Sequence, residues 1–234
     1  IDTYEWLKRN KIQSYFSGCI TLTLNRPTGK FNVSPTVVLV DVPWQVSAKV
    51  RLELDSNVID ITAIHKFKTT SSRFKYAQTY LDTLAVADFV ITTRLHVALP
   101  CLALNVPVLL INEYHEKERF TGYSDLIQSS SITEFLNGAC EFNIHKPTPN
   151  PPTYNKLRQT LVNSISQFTG FSSKASAWTS DRMRGVESLI KYHNKKLEKT
   201  TKTNLRGFGR CVNKDKQNFV LIKSLSECIQ KNEE

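Results

Sequence analysis

The stretch that decides the fold lies between residues 91 and 100 and reads ITTRLHVALP. An apolar run from Asp88 to Thr92 leads into it, and a second apolar run, Val108–Ile111, follows it. This order predicts a strand, a turn, a helix and a second strand, which together form one βαβ unit. A right-handed crossover between parallel strands then places Arg94 and His96 at the carboxyl end of the first strand.

Arg94 and His96 are therefore the first candidate site residues. In open α/β sheets, ligands bind in the crevice at the carboxyl ends of the strands. A guanidinium and a titratable imidazole beside a helix N-terminus suit an anionic substrate that gains or loses a proton. On a regular helix the two side chains would diverge by about 200°, so they converge only if Arg94 still belongs to the turn. The alternative is structural: Arg94 caps the sheet edge and His96 is a hydrogen-bonded core histidine.

Strand and helix patterns alternate over the first 170 residues. The predicted strands cover residues 36–42, 58–65, 88–92 and 108–111, and the main predicted helices cover residues 73–87 and 154–168. The run at 36–42 is almost continuously apolar and rich in β-branched residues, which is typical of a parallel strand covered on both faces. We therefore predict an α/β fold over residues 1–170, with a doubly wound, mainly parallel, Rossmann-like sheet.

Positive charge is concentrated in the C-terminal part of the chain. The net charge is +10, and residues 171–234 contain 14 Lys and Arg against 7 Asp and Glu, whereas residues 1–170 contain 17 against 14. Amphipathic patterns at 183–197 and 219–229 predict two helices there. Residues 171–234 are therefore predicted to be a basic helical or partly disordered tail, whose charge says little about the ligand of the first domain.

Composition argues against several classes of protein. The five cysteines are odd in number, scattered and without a C-x-x-C pair, which disfavours a disulfide framework and a zinc site. No cluster of carboxylates or histidines has ligand spacing, so neither a metal nor a cofactor is predicted. No apolar run approaches the ~20 residues of a membrane-spanning helix. The tail contains no evident array of stacking aromatics, so nucleic acid is not an expected partner.

Four sequence blocks, taken in order and spacing, resemble the polysaccharide pyruvyl transferase family over residues 1 to about 140. The blocks read SGCITLTL (17–24), VVLVDVP (37–43), ITTRLHVALPCLALNVPVLLIN (91–112) and RFTGYSDLI (119–127). Members of this family resemble two-domain GT-B glycosyltransferases. They transfer the enolpyruvyl group of phosphoenolpyruvate to two hydroxyls of a sugar, which gives a pyruvate ketal. The chain departs from the family at Asn105, where a glycine is usual, although Asn also tolerates the left-handed conformation.

The resemblance implies a role for each candidate residue. Arg94 would bind the carboxylate or phosphate of phosphoenolpyruvate through its planar fork. His96 would protonate the methylene carbon while a sugar hydroxyl attacks the adjacent carbon, after which phosphate leaves and a second hydroxyl closes the ketal. Additional substrate-binding residues are predicted at Ser17, Gly18, Cys19, Thr21, His65, Thr93 and Arg119. The expected partners are phosphoenolpyruvate and a sugar or polysaccharide acceptor.

Two other functions fit the same sequence. The first is a GT-B glycosyltransferase domain that uses a nucleotide sugar, because an arginine near a diphosphate would look similar. The second is a non-catalytic module that binds anionic polymers through the basic tail. The family's amino-terminal half is not visible in the chain, so residues 1–170 are expected to form the C-terminal half of the GT-B-like fold and to fold alone. The 234-residue chain is expected to bind phosphoenolpyruvate weakly and to be inactive by itself. The acceptor sugar, the compartment and the oligomeric state are left open.

Overall fold

A computed structural model describes most of the chain. It covers residues 2–16, 18–29, 31, 34, 36–54, 57–63, 66–112, 122–123, 125–171 and 174–211. The chain divides into two compact units, Ile1–Ile190 and Lys191–Glu234. The sheet and the candidate site belong to the first unit.

Five short strands of the first unit form one parallel sheet. Strands β1 to β5 are Thr36–Val40, Asn57–Ile61, Phe89–Thr92, Val108–Ile111 and Gln128–Ser130. They lie in the order β2-β1-β3-β4-β5, and every neighbouring pair is parallel. All residues of β1, β3 and β4 are buried, as expected of strands with helices on both faces. The predicted doubly wound α/β fold is therefore confirmed.

The described part of the chain contains seven α-helices and one short 3₁₀ helix. Helices α1 to α7 are Asp2–Arg9, Trp44–Glu53, Thr70–Val86, Leu95–Ala103, Ile132–Leu136, Tyr154–Thr169 and Ser180–Cys211. The sequence predicted α3 and α6 close to their observed bounds, but it did not predict α2. The 3₁₀ helix is Ile20–Thr23.

Helices cover both faces of the sheet. One buried cluster attaches α3, α4, α6 and the 3₁₀ helix to the first face through Leu84, Leu99, Leu161 and Leu22. A second buried cluster attaches α2 and α5 to the opposite face through Val46, Val50 and Phe135. Full burial of each such side chain stabilises the fold by about 1.5–3 kcal/mol.

The segment Ile20–Thr23, which precedes β1, forms a 3₁₀ helix although its apolar and polar residues alternate as in a strand. Leu22 N donates to Cys19 O at 3.0 Å and Leu24 N donates to Thr21 O at 3.4 Å, so these backbone bonds close within the segment. Leu22 is fully buried, whereas Ile20 is 68% exposed. The segment therefore packs one side chain into the core as a tight turn instead of pairing with the sheet.

Gly18 brings its backbone close to α6. Its φ is +78°, and a Cβ built there would lie 3.1 Å from Cδ2 of Leu157. Gly18→Ala is expected to lower the free energy of unfolding by about 2 kcal/mol, because the left-handed backbone costs an L-residue ~1–2 kcal/mol and the methyl group must displace Leu157. Urea unfolding measures this loss.

Gly138→Ala is the matched control for that prediction. Gly138 has a φ of +72°, and nothing lies within 4 Å of a Cβ built there. Its alanine variant is therefore expected to lose only the backbone contribution, about 1 kcal/mol. Equal losses of unfolding free energy in the two variants would show that the contact with Leu157 adds nothing to the cost of Gly18→Ala.

Residues 174–190 pack against the sheet-bearing part of the first unit. The Arg182 guanidinium donates two hydrogen bonds to the Asp82 carboxylate of α3, and Val186 is fully buried. The compact unit therefore continues to residue 190, past the boundary predicted at residue 170. Independent folding of residues 1–170 stays a prediction.

Of the second unit, the structure describes residues 191–211, and these residues are helical. The other predicted tail helix, at 219–229, lies outside the described residues. None of the helices in the described part of the chain is long and apolar enough to cross a membrane.

Candidate active site

The carboxyl edge of the sheet has its switch point between β1 and β3. Strand β1 pairs with both β2 and β3. The chain leaves β1 through α2 on one face of the sheet and leaves β3 through α4 on the other. Such a switch point leaves a crevice at the carboxyl ends of the strands, where ligands of open α/β sheets bind. Asp41 is the first residue after β1 and Arg94 is the second residue after β3, so both border this crevice.

Asp41, which follows β1, makes hydrogen bonds at the ends of β2 and β3. Its φ is +51°, in the left-handed region that Asp tolerates better than most residues. Its backbone N–H donates to Ile61 O at 3.2 Å, and its carbonyl accepts from Thr93 Oγ1 at 2.8 Å. Its carboxylate Oδ2 accepts from Arg94 Nε at 3.0 Å and from Ala63 N at 3.2 Å. The backbone and the carboxylate therefore both fix the geometry of this edge.

Arg94 lies in the turn that begins α4. It is the N-cap residue, with φ −105° and ψ 118°, and its N–H donates to Thr92 Oγ1 at 2.9 Å. Its side chain is 49% exposed, and the only hydrogen bond that it makes to a described residue is the one from Nε to Asp41. An ion pair this exposed contributes only about 0–1 kcal/mol to stability. Asp41 therefore mainly orients the guanidinium, whose terminal Nη nitrogens have no acceptor among the described residues.

His96 lies in the first turn of α4, and its side chain is exposed. It makes no hydrogen bond or ion pair with any residue that the structure describes. The alternative interpretation of His96 as a hydrogen-bonded core histidine is therefore wrong. An exposed imidazole beside the crevice can exchange a proton with a ligand bound there.

Tyr80 of α3 places a buried phenol near the same ion pair. Its hydroxyl has no hydrogen-bond partner among the described residues. Burial raises the pKa of Tyr80 well above its ordinary value, the negatively charged forms of Cys101, Tyr76 and Asp41 raise it further, and Arg94 lowers it. The phenol therefore stays neutral at physiological pH. Tyr80 lines the same cavity as Ala63, whose N–H donates to Asp41 Oδ2.

Sequence reasoning missed both Asp41 and Tyr80 as parts of this site. A single acidic residue at the end of a buried strand is the signal that could have identified Asp41. Tyr80 shows only the helical periodicity of α3. Its proximity to the ion pair depends on how α3 packs, which no local pattern reveals.

Other predicted site residues lie around the 3₁₀ helix. Cys19 Sγ and Thr21 Oγ1 are 3.2 Å apart, and Gly18 abuts Leu157. Burial raises the pKa of Tyr123, and the neighbouring Cys19 adds to this effect. The described contacts do not join these residues to Arg94. Three further predicted site residues lie outside the described residues: Ser17, His65 and Arg119. Substrate binding by all of them stays a prediction.

Comparison with known proteins identifies one family. The family model for polysaccharide pyruvyl transferases matches residues 1–115. The matched range contains β1 to β4 and both residues of the Asp41–Arg94 pair, and it ends before the block at 119–127. Neither the curated proteins nor the solved structures yielded a match.

Proposed function

Because the chain belongs, through residues 1–115, to the polysaccharide pyruvyl transferase family, we propose that it transfers the enolpyruvyl group of phosphoenolpyruvate to a sugar. Pyruvyl transfer to polysaccharide is the general activity of this family. The product proposed here is a ketal that joins the pyruvyl carbon to two hydroxyls of one sugar. The observation that carries the proposal is an exposed Arg94, oriented by Asp41 at the switch point, two residues before an exposed His96.

Arg94 is the proposed anchor for the donor. Phosphoenolpyruvate carries a carboxylate and a phosphate, and the planar guanidinium suits two parallel hydrogen bonds to either group. Asp41 accepts a hydrogen bond from Arg94 Nε only, so both terminal Nη nitrogens remain to bind phosphoenolpyruvate. Arg119, predicted from the sequence, is the proposed partner for the second anionic group.

His96 is the proposed general acid. As a sugar hydroxyl oxygen bonds to the enol carbon of the donor, the imidazolium gives its proton to the methylene carbon, which becomes a methyl group. The hydroxyl proton restores the imidazolium. Phosphate then leaves that carbon, and a second sugar hydroxyl attacks it and loses its own proton. The products are the ketal and inorganic phosphate, so the reaction needs no oxidant or reductant.

Ligand-dependent thermal stabilisation tests the donor. Phosphoenolpyruvate is expected to raise the melting temperature of the 234-residue chain, because a ligand at ~100 times its Kd stabilises the folded state by about 2.7 kcal/mol. Arg94→Lys keeps the charge but loses the fork, so it should weaken binding roughly tenfold and remove about 1.4 kcal/mol of that stabilisation.

Arg26→Lys is the matched control, because Arg26 is exposed and donates to Asn105 O at the opposite edge of the sheet. It should keep the full stabilisation by phosphoenolpyruvate. Stabilisation by nucleotide sugars but not by phosphoenolpyruvate would contradict the proposal and favour a nucleotide-sugar glycosyltransferase.

The Asp41→Asn variant tests whether Asp41 positions the Arg94 guanidinium for the reaction with phosphoenolpyruvate. Asn tolerates the left-handed backbone and keeps a side-chain acceptor, so the melting temperature should change little. Removing a negative charge beside the donor should not weaken phosphoenolpyruvate binding, but a misplaced Arg94 guanidinium should lower turnover roughly tenfold. The measurement is the kcat for ketal formation alongside the KM for phosphoenolpyruvate. An unchanged kcat together with an unchanged KM would show that Asp41 does not position Arg94.

A further inference from the structure

A second concave surface lies beside the Asp41–Arg94 pair. It is a cavity of about 330 Å³ between the segment after β2 and the first turns of α3. The lining residues, here called the α3 groove, are Ala63, Phe67, Arg73, Tyr76, Ala77 and Tyr80. The volume falls within the ~300–1,000 Å³ of small-molecule sites. Ala63 connects the groove to the ion pair, because its N–H donates to Asp41 Oδ2 at 3.2 Å.

Aromatic rings form one wall of the α3 groove. The ring centroids of Phe67 and Tyr76 are 5.1 Å apart, and those of Tyr76 and Tyr80 are 6.0 Å apart. Tyr76 and Tyr80 are four residues apart in α3, so they share one face of the helix. Ala77 also lines the groove. The apolar C–H face of a pyranose can stack on such a wall while its hydroxyls stay in water.

Arg73 gives the α3 groove a positive charge. Its side chain is exposed, and it makes no ion pair with any described residue. It precedes Tyr76 by three residues, so it lies on the same face of α3 as the aromatic wall. None of the described lining residues is acidic. The groove therefore combines an aromatic surface with a cation that has no described counter-ion, which is complementary to a negatively charged sugar.

We propose that the α3 groove binds the acceptor through one non-reacting, acidic sugar unit. The pyranose of that unit stacks on Phe67 and Tyr76, and its carboxylate pairs with Arg73. This inference rests on the proposed function, because the neighbouring sugar of the same glycan then reaches the Asp41–Arg94 pair. The acceptor class is a glycan that contains a uronic acid.

Saccharide binding to the 234-residue chain tests this inference. The probes are a disaccharide with one glucuronic acid and the same disaccharide with glucose in its place, and their dissociation constants are measured by ligand-observed NMR. The acidic probe should bind more tightly to the wild-type chain. Tyr76→Ala should weaken binding of both probes roughly three- to tenfold. Arg73→Gln should reduce the affinity for the acidic probe to that for the neutral one.

Phe74→Ala and Lys75→Gln are the matched controls on the same helix. Phe74 is 72% exposed, Lys75 is exposed, and neither lines the groove, so both variants should bind like the wild type. The inference is overturned by equal affinity for the two probes, by absence of binding, or by equal losses in the control variants. Because Arg73→Gln changes only an exposed side chain, it keeps the test decisive even if Tyr76→Ala unfolds.

Phosphoenolpyruvate stabilisation of the same variants separates the two proposals. Arg73→Gln should retain this stabilisation in full, whereas Arg94→Lys should lose about half of it and still bind the acidic disaccharide. If phosphoenolpyruvate does not stabilise the wild type while the disaccharides behave as expected, the proposed donor is wrong and the groove is confirmed as an acidic saccharide site.

Discussion

His96→Asn is expected to lower the rate of pyruvate-ketal formation by a factor of roughly 10²–10⁴, the usual contribution of a positioned general acid. Asn can still donate a hydrogen bond, but it cannot give a proton to the methylene carbon of phosphoenolpyruvate. Because His96 is exposed and has no described partner, the melting temperature should stay close to that of the wild type. Stabilisation by phosphoenolpyruvate should also persist.

His145→Asn is the matched control for that result. The His145 side chain is 60% exposed and lies 3.6 Å from a carboxylate oxygen of Glu53, outside the proposed site. It should leave turnover unchanged. Wild-type turnover in His96→Asn, measured in the protein as its cell produces it, would remove His96 from the mechanism. A large loss of stability instead would show that the histidine is structural.

Arg182→Ala is expected to lower the free energy of unfolding by about 3–5 kcal/mol, because it leaves a buried carboxylate without its counter-ion. The side chain of Asp82 is only 2% exposed and that of Arg182 is 15% exposed. Arg182 Nε donates to Asp82 Oδ2 at 2.9 Å, and Gln78 Nε2 donates to Oδ1 at 3.0 Å. The hydrogen bond to Asp82 also raises the pKa of Arg182. Urea unfolding of the 234-residue chain gives the loss directly.

Arg184→Ala supplies the comparison within the same helix. Arg184 pairs with Asp181, but their side chains are 71% and 88% exposed, so the expected loss is about 1 kcal/mol or less. Similar losses of unfolding free energy in the two variants would show that the ion pair between Arg182 and Asp82 does not stabilise the packing of α7 against α3.

The βαβ unit around Arg94 could be predicted because its patterns are strong and local. Two continuous apolar runs predicted β3 and β4, and the tolerance of Asn for the left-handed region agrees with the φ of +53° at Asn105. Helix α2 escaped prediction because only Val46 and Val50 are buried, while Trp44 and Leu52 are largely exposed. Two buried valines four residues apart do not form a recognisable apolar face.

Only part of the candidate site could be predicted, because the rest depends on contacts between residues that are far apart in the sequence. Arg94 and His96 belong to one short motif, so the sequence alone identified them. Asp41 lies 53 residues before Arg94, and only the pairing of β1 with β3 brings the two together. The α3 groove likewise joins the segment after β2 to α3. Its aromatic residues look like ordinary helix or loop residues until the chain folds.

NMR of a single reaction tests pyruvyl transfer most directly. The protein, as its cell produces it, is incubated in D₂O with phosphoenolpyruvate and a uronic-acid-containing glycan, and proton and phosphorus spectra are recorded. We predict a new ketal methyl signal that carries solvent deuterium, because the solvent-exchanged His96 imidazolium supplies the added hydrogen, with one inorganic phosphate released per ketal. Intact phosphoenolpyruvate, together with glycosylation of the same glycan from a nucleotide sugar, would contradict pyruvyl transfer.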